Sequence, residues 1–296
     1  MNFATTTPKP LPRASWRRQP DVSLVVSLGD SISHGIGDSG PECVGPAWGG
    51  RVAHRIDARE HRNLSFPGAQ SGHLLHLQVP AAVWLKPDLA LISIGGNDAL
   101  RSSFDPLRIA RDLKASIARL DEVGTQIVVL GLPDPRRTVP APRLIRTALS
   151  RRTAAVNAAL EHAVAGSSAL LLRMWDNANS YHRSLWHIDR MHPSPKGHEY
   201  LASLVITRLG LEAVKAPLGI EPASGSSALW LLRNGSVWCA KRSVDLLPGL
   251  LRMAIEHVND RSAPESYRLP VSPELPELSA VEDSWTPELE PLAVAA

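Results

Sequence analysis

Residues Leu24–Asp38 read LVVSLGDSISHGIGD. The apolar run from Val22 to Leu28 is broken only by small serines and closed by Gly29. That is the composition of a strand buried on both faces, as the central strands of parallel sheets are. Gly29-Asp30-Ser31 follows at once, then Gly35, Gly37 and Asp38. A strand that stops at Gly-Asp-Ser carries a small nucleophile at its C-terminal end, and in open α/β sheets ligands bind at that end. Gly, Asp and Ser are also ordinary turn residues, so the tripeptide alone says little. It gains force if the chain elsewhere supplies a base, a group to orient that base, and donors for a developing oxyanion.

Outward from this strand, strand and helix patterns alternate from Val22 to Gly210. Ala47–Glu60 carries Trp48, Val52 and Ile56 on one helical stripe. Asn63–Phe66 reads as a short second strand, and Gly72–Leu85 as a helix broken or kinked near Pro80. Asp88–Ile94 is a third, buried strand. Asp105 and Pro106 then open a helix that runs to about Val123. Gln126–Leu130 is a fourth strand, Ile145–Ala165 a long helix, and Ala169–Leu172 a fifth strand. After the loop Trp175–Pro193, Ser194 and Pro195 start a last helix that Gly210 ends. Such alternation implies a parallel sheet covered by helices on both faces.

Four short motifs fall where this arrangement can gather them on one sheet edge: Gly29-Asp30-Ser31, Gly68 within SFPGAQSG, Gly95-Gly96-Asn97-Asp98, and Asp189-Arg190-Met191-His192-Pro193. Nucleophilic acyl transfer needs this convergence. A serine hydroxyl is a weak nucleophile until a base adjoins it. An imidazole is that base near neutral pH, and a carboxylate fixes its tautomer. Asp189 and His192 are three residues apart, so on one helical or 3₁₀-like turn they project to the same side. Gly68 offers a backbone N–H without a Cβ to obstruct approach. Asn97 offers a neutral amide, and Ser31 its own N–H, to an oxyanion.

In order and spacing these blocks resemble the SGNH hydrolases, the GDSL esterase/lipase family, over Leu24 to Gly210. GDSISHGIGD and DRMHPSPKGHEYLA are similar to soluble actinobacterial members, with Ile32 standing where the family name has leucine. The resemblance implies an α/β fold, a flavodoxin-like three-layer α/β/α sandwich with a parallel sheet. It implies Ser31 as nucleophile, His192 as base and Asp189 as third triad member, with Ser31, Gly68 and Asn97 forming the oxyanion hole. The reaction it implies is cleavage of a small-molecule or lipid ester through an acyl-enzyme, with no metal and no organic cofactor.

Other residues near the motifs receive structural readings. Asp30 and Asp98 are expected to accept nearby backbone N–H groups and hold their own loops. His34, His73, His76, His187 and His198 have no partner spacing of their own and are read as surface or structural. No three or four of these spacings assemble a zinc site. The G-x-S-x-G turn of the α/β-hydrolases does not occur around Ser31.

The rest of the chain bounds these expectations. Its 296 residues, 44% hydrophobic and 21% charged, suit a hydrolase unit with additional segments. A formal charge of +3 is too small to argue for nucleic acid. The cluster Arg136, Arg137, Arg143, Arg146, Arg151 and Arg152 reads as a solvated helix face. Cys43 and Cys239 form no metal-binding or disulfide pattern. Residues 1–20 form a leader without the apolar core of a signal peptide, which places the chain in the cytoplasm by default. Residues 21–210 are the hydrolase unit, 211–227 a linker, 228–259 an amphipathic helical segment, and 260–296 a Pro- and Glu-rich tail expected to be disordered. Trp230–Ile255 is apolar enough to pack on the hydrolase unit or to contact a membrane or partner protein. Acyltransfer or thioester cleavage at the same site, and an inert scaffold recruiting a partner through that segment, are the rival readings.

Overall fold

A computed structural model of the chain describes residues 22–38, 45–219, 248–249, 251–253 and 255. The leader, Cys43, Cys239, the linker from residue 220, most of the 228–259 segment and the 260–296 tail lie outside the described residues.

In chain order the elements are β1 Leu24–Gly29, α1 Ser31–His34, α2 Ala47–Arg55, β2 Glu60–Asn63, α3 Ser71–His73, a π-turn Leu74–Gln78, α4 Val79–Leu85, β3 Leu89–Ser93 and α5 Gly96–Leu100. Then come α6 Pro106–Asp121, β4 Gln126–Leu130, α7 Pro135–Thr138, α8 Arg143–Val164, β5 Leu170–Leu172, the 3₁₀ turns Ala178–Tyr181 and Arg183–Leu185, and α9 Pro195–Leu209. The five strands pair in the order β2-β1-β3-β4-β5, every pair parallel. The order reverses direction between β1 and β3, the switch point at which flavodoxin-like sheets bind their ligands.

Alternation along the strands divides the core into two layers. Val26, Leu28, Ala90, Ile92, Ile127 and Val129 pack against Leu74, Val79, Ile109, Leu113, Ile117, Val156 and Leu160, from the π-turn and helices α4, α6 and α8. Val25, Leu89, Leu91, Val128 and Leu130 pack against Trp48, Val52, Leu201, Ala202 and Val205 of α2 and α9. The expected α/β/α sandwich is therefore the observed one. Strand β4 and the start of α9 fall where the sequence places them, with the Ser194 side chain accepting from the Gly197 N–H.

One strand differs from the sequence reading, and one expected helix break is located more closely. The second strand is Glu60–Asn63, not Asn63–Phe66; it pairs Glu60 with Leu24 through to Asn63 with Ser27. It is an edge strand with three of four residues exposed, so no apolar pattern marks it. The break in the 71–85 helix lies before Pro80, at the π-turn Leu74–Gln78. Proline has no N–H to return to the preceding turn, and a π-turn absorbs the mismatch.

Residues beyond Gly210 partly rejoin the unit. Val214 and Lys215 donate backbone N–H groups to Arg55 O at 2.9 and 3.1 Å, and Met253 is buried in the same core layer as Ile109 and Val156. No described helix is long and apolar enough to cross a membrane.

Candidate active site

Ser31 owes its place to the end of β1. Gly29 has φ +113°, and a Cβ there would lie 1.8 Å from Ser93 O, so only glycine lets β1 run this close to β3 and then turn. The Asp30 N–H continues the pairing, donating to Ser93 O at 2.9 Å. Asp30 caps α1 by accepting the Ile32 N–H at 3.1 Å, which holds its own loop as expected. Ser31 opens that helix, so its N–H has no intrahelical acceptor. Burial raises the Asp30 carboxyl to about 7, against the lowering effect of the Ile32 N–H.

His192 and Asp189 sit on a tight turn whose ends are bridged. Trp186 pairs with Pro193, the His187 N–H donates to His192 O at 2.8 Å, and Arg190 takes a left-handed φ of 59°. Of the helical or 3₁₀-like turn expected from the spacing, the structure has a single i to i+3 bond, from the Arg190 N–H to His187 O at 3.0 Å. Asp189 itself organises the turn: Oδ1 accepts the Met191 and His192 N–H groups at 2.9 and 3.0 Å. Its Oδ2 is left for the imidazole, 2.7 Å from His192 Nδ1. His192 Nε2 then lies 2.8 Å from Ser31 Oγ. With Nδ1–H donated to the carboxylate, Nε2 is the acceptor for the serine proton; the tautomer is assigned from these partners. Burial would raise the Asp189 carboxyl, but hydrogen bonds from His187 and His192 and the His192 charge together hold it far below the usual carboxylate range.

The expected oxyanion donors lie on two loops that are tied together. The Phe66 N–H donates to Gly29 O at 3.2 Å, which anchors the Gly68 loop to the end of β1. Asn97, in α5, donates one amide hydrogen to Ala69 O at 3.0 Å, and the other remains for a ligand. Asp98 does more than hold its own loop, the role its sequence reading expects. It reaches across to accept the Ser71 N–H at 3.1 Å and the Ser71 hydroxyl at 2.9 Å.

Several contributors have no role at the site in the sequence reading, His187 among them, which is read only as surface or structural. His187 places Nδ1 3.3 Å from Asp189 Oδ2, and its Cβ sits beneath Gly37, where a Cβ would meet Pro193 O at 2.4 Å and His187 Cβ at 3.1 Å. Gln78 clamps Gly29 from both sides: Oε1 accepts the Gly29 N–H at 2.6 Å and Nε2 donates to Gly29 O at 2.9 Å. The buried Asp38 pairs with Arg51 at 2.6 Å and accepts the Ala47 N–H at 2.8 Å. Arg51 reaches Glu199 of α9 at 3.2 Å. No motif spacing marks these: the partners of Gln78, Asp38 and Arg51 come from other elements, and His187 meets Asp189 only through the bridged turn. Three other histidines have structural contacts, as read: His34 meets Ser65 O at 3.0 Å, His73 accepts the Gln70 N–H at 3.1 Å, and the buried His198 meets Ile36 O at 3.3 Å. An apolar recess of about 40 Å³ lies between the end of β4 and α9, lined by Ile32, Leu132, Leu185, Trp186, Pro193 and Tyr200 among others; neither Ser31 nor His192 lines it.

Comparison with known proteins follows the same lines. A model of the GDSL-like Lipase/Acylhydrolase family matches residues 27–200. No curated protein matches the chain. Among solved structures, an acetylxylan esterase of Geobacillus stearothermophilus is 18% identical, with a TM-score of 0.51 over 67% of this chain and all of that one. A protein assigned to the G-D-S-L lipolytic family, from Desulfitobacterium hafniense DCB-2, is 15% identical, with a TM-score of 0.51 over 63% of this chain and 99% of its own. At these identities the likeness is one of fold. The family match covers more than half of the sequence and spans Ser31, Gly68, Asn97, Asp189 and His192, so the chain belongs to the GDSL-like lipase/acylhydrolase family, the SGNH-type ester hydrolases.

Proposed function

We propose that this ester hydrolase works through an acyl-enzyme on Ser31. The observation that carries the reading is the unbroken line from Ser31 Oγ to His192 Nε2, 2.8 Å, and from His192 Nδ1 to Asp189 Oδ2, 2.7 Å. His192 takes the Ser31 proton as Oγ attacks the ester carbonyl. The Asp189 carboxylate holds the imidazole in the reactive tautomer and stabilises the imidazolium that forms. The Ser31 N–H, the Gly68 N–H and the second Asn97 amide hydrogen receive the tetrahedral oxyanion. Collapse breaks the bond to the alkoxy group, which leaves as alcohol with the His192 proton. Water, deprotonated by His192, then attacks the acyl carbon, and Ser31 departs with its proton restored. Catalytic mutants of the Geobacillus esterase replace a serine, an aspartate and a histidine, the last two three positions apart; that spacing is the one between Asp189 and His192.

For the nucleophile, a fluorophosphonate should label Ser31 alone, and Ser31→Ala should stay folded and lose both labelling and turnover. Labelling at another serine, or activity persisting in Ser31→Ala, would overturn the assignment.

A further inference from the structure

The oxyanion reading asks Asn97 to be held still, yet its helix cannot hold itself. α5 has five residues and a left-handed Gly95 as its N-cap, with no side-chain cap. Helices this short have no independent stability in water, so outside groups set its position. One is Arg152 of α8, which departs from the solvated helix face read from its arginine cluster: it is buried, because it donates to Ala99 O at 3.1 Å and to Arg101 O at 2.8 Å.

The second comes from far outside the family domain, whose match ends at residue 200. Gly249 lies so close to α5 that a Cβ would sit 2.0 Å from Leu100 O. The Arg252 guanidinium donates to Ser102 O. Met253 is 1% exposed and shares a core layer with Ala99 and Leu100. Leu251 and Ile255, by contrast, face outward. A close backbone approach and a hydrogen bond thus fall together on the last turn of α5 and the residues that follow it, with a buried anchor in the same core layer.

We propose that the described residues 248–249, 251–253 and 255 form a strap that positions α5, and through it Asn97, so that a chain extension beyond the hydrolase unit tunes the oxyanion hole. This rests on the assignment of Asn97 to that hole. Asn97 touches the substrate; Gly249, Arg252 and Met253 are positioning residues that act through α5.

The test uses the full chain with Gly249→Val, Met253→Asp and Met253→Leu. The Cβ of Gly249→Val drives the strap off Leu100 O, and Met253→Asp puts a charge in the core layer. Both are expected to lower kcat about tenfold with KM changed less than about twofold, because small misplacements of a transition-state donor cost rate rather than binding. Met253→Leu, which keeps volume and polarity, is expected to retain the parent kcat. Hydrogen exchange gives a reading independent of turnover: amides 97–102 should exchange faster in the two disruptive variants, while α2 and α9, on the other face of the sheet, stay protected. Unchanged exchange at 97–102, or faster exchange there with an unaltered kcat, would overturn the proposal. Where a disruptive variant does not fold, Arg252→Ala, which removes one bond to Ser102 O from an exposed position, decides by the same exchange criterion. An Asn97→Ala variant with undiminished kcat removes the oxyanion assignment instead, and exchange alone then decides whether the strap holds α5.

Discussion

Asn97 is asked for one amide hydrogen in the transition state and one for Ala69 O. Asn97→Ala should therefore lower kcat by about 10²–10³ with little change in KM. A purely structural Asn97 would show a lowered melting temperature with turnover per folded molecule intact. His187 makes a different demand. Its ring meets the same Asp189 oxygen as His192, at 3.3 Å against 2.7 Å, so it steadies the carboxylate without meeting the serine. His187→Ala is expected to lower kcat by about tenfold at unchanged KM, and His187→Asn, which restores a donor, should recover part of the loss; equal kcat in parent and both variants would leave His187 a packing residue. The contrast explains what was legible. Ser31, Asp189 and His192 announce themselves because acyl chemistry needs those residue types and the four blocks keep their order. His187 is silent in the sequence because its relation to Asp189 arises from the bridged turn between Trp186 and Pro193, not from a helical spacing.

At the scale of elements, the π-turn is the feature that matters most to the nucleophile. By widening the helix before Pro80 it delivers Gln78 to both backbone groups of Gly29. Gln78→Leu would keep the volume and strand a buried N–H. The expected cost is about 1–3 kcal/mol, read as a lower midpoint in chemical denaturation with unchanged slope. A midpoint equal to the parent's would mean the clamp adds nothing. Buried strands were readable from their apolar runs: β3 is buried throughout, and β1 and β4 are buried after their first residue. Strand β2 was misplaced by three residues, since Glu60, Arg62 and Asn63 are exposed and its identity comes from backbone pairing to β1. The π-turn was unreadable beyond the presence of Pro80, because where a helix absorbs a missing donor depends on its packing.

For the whole molecule, buried titratable groups set the response to acid. Burial lowers both His61 and His198 to about 4 from 6.5. Between those values the unfolded chain binds protons that the folded chain does not, so stability rises with pH across that window and is lost as the pH falls through it. Asp30 has the opposite sign. Its carboxyl, raised by burial from 3.8 to about 7, keeps a proton in the folded state that the unfolded chain has released, so its contribution declines as pH climbs toward 7. His198→Gln should accordingly flatten the acid limb of a denaturation series from pH 4.5 to 6.5. Asp30→Asn should gain on the parent as the pH is raised from 4.5 to 8. Parallel pH curves for parent and variants would refute both assignments. The sandwich and its edge-clustered loops followed from strand–helix alternation, but this electrostatic behaviour did not, since burial is a property of the assembled layers.

The polar composition that hid β2 also guards the sheet. An open five-stranded sheet has two rims, each a row of backbone groups that a strand from another molecule could extend. On the β2 rim, Glu60 and Arg62 are exposed and paired with each other, and charges there deter edge-to-edge addition. On the opposite rim, β5 is all leucine but only three residues long, too short to template an intruding strand. One edge is protected by chemistry and the other by brevity, so the fold resists strand-by-strand aggregation without closing its sheet into a barrel.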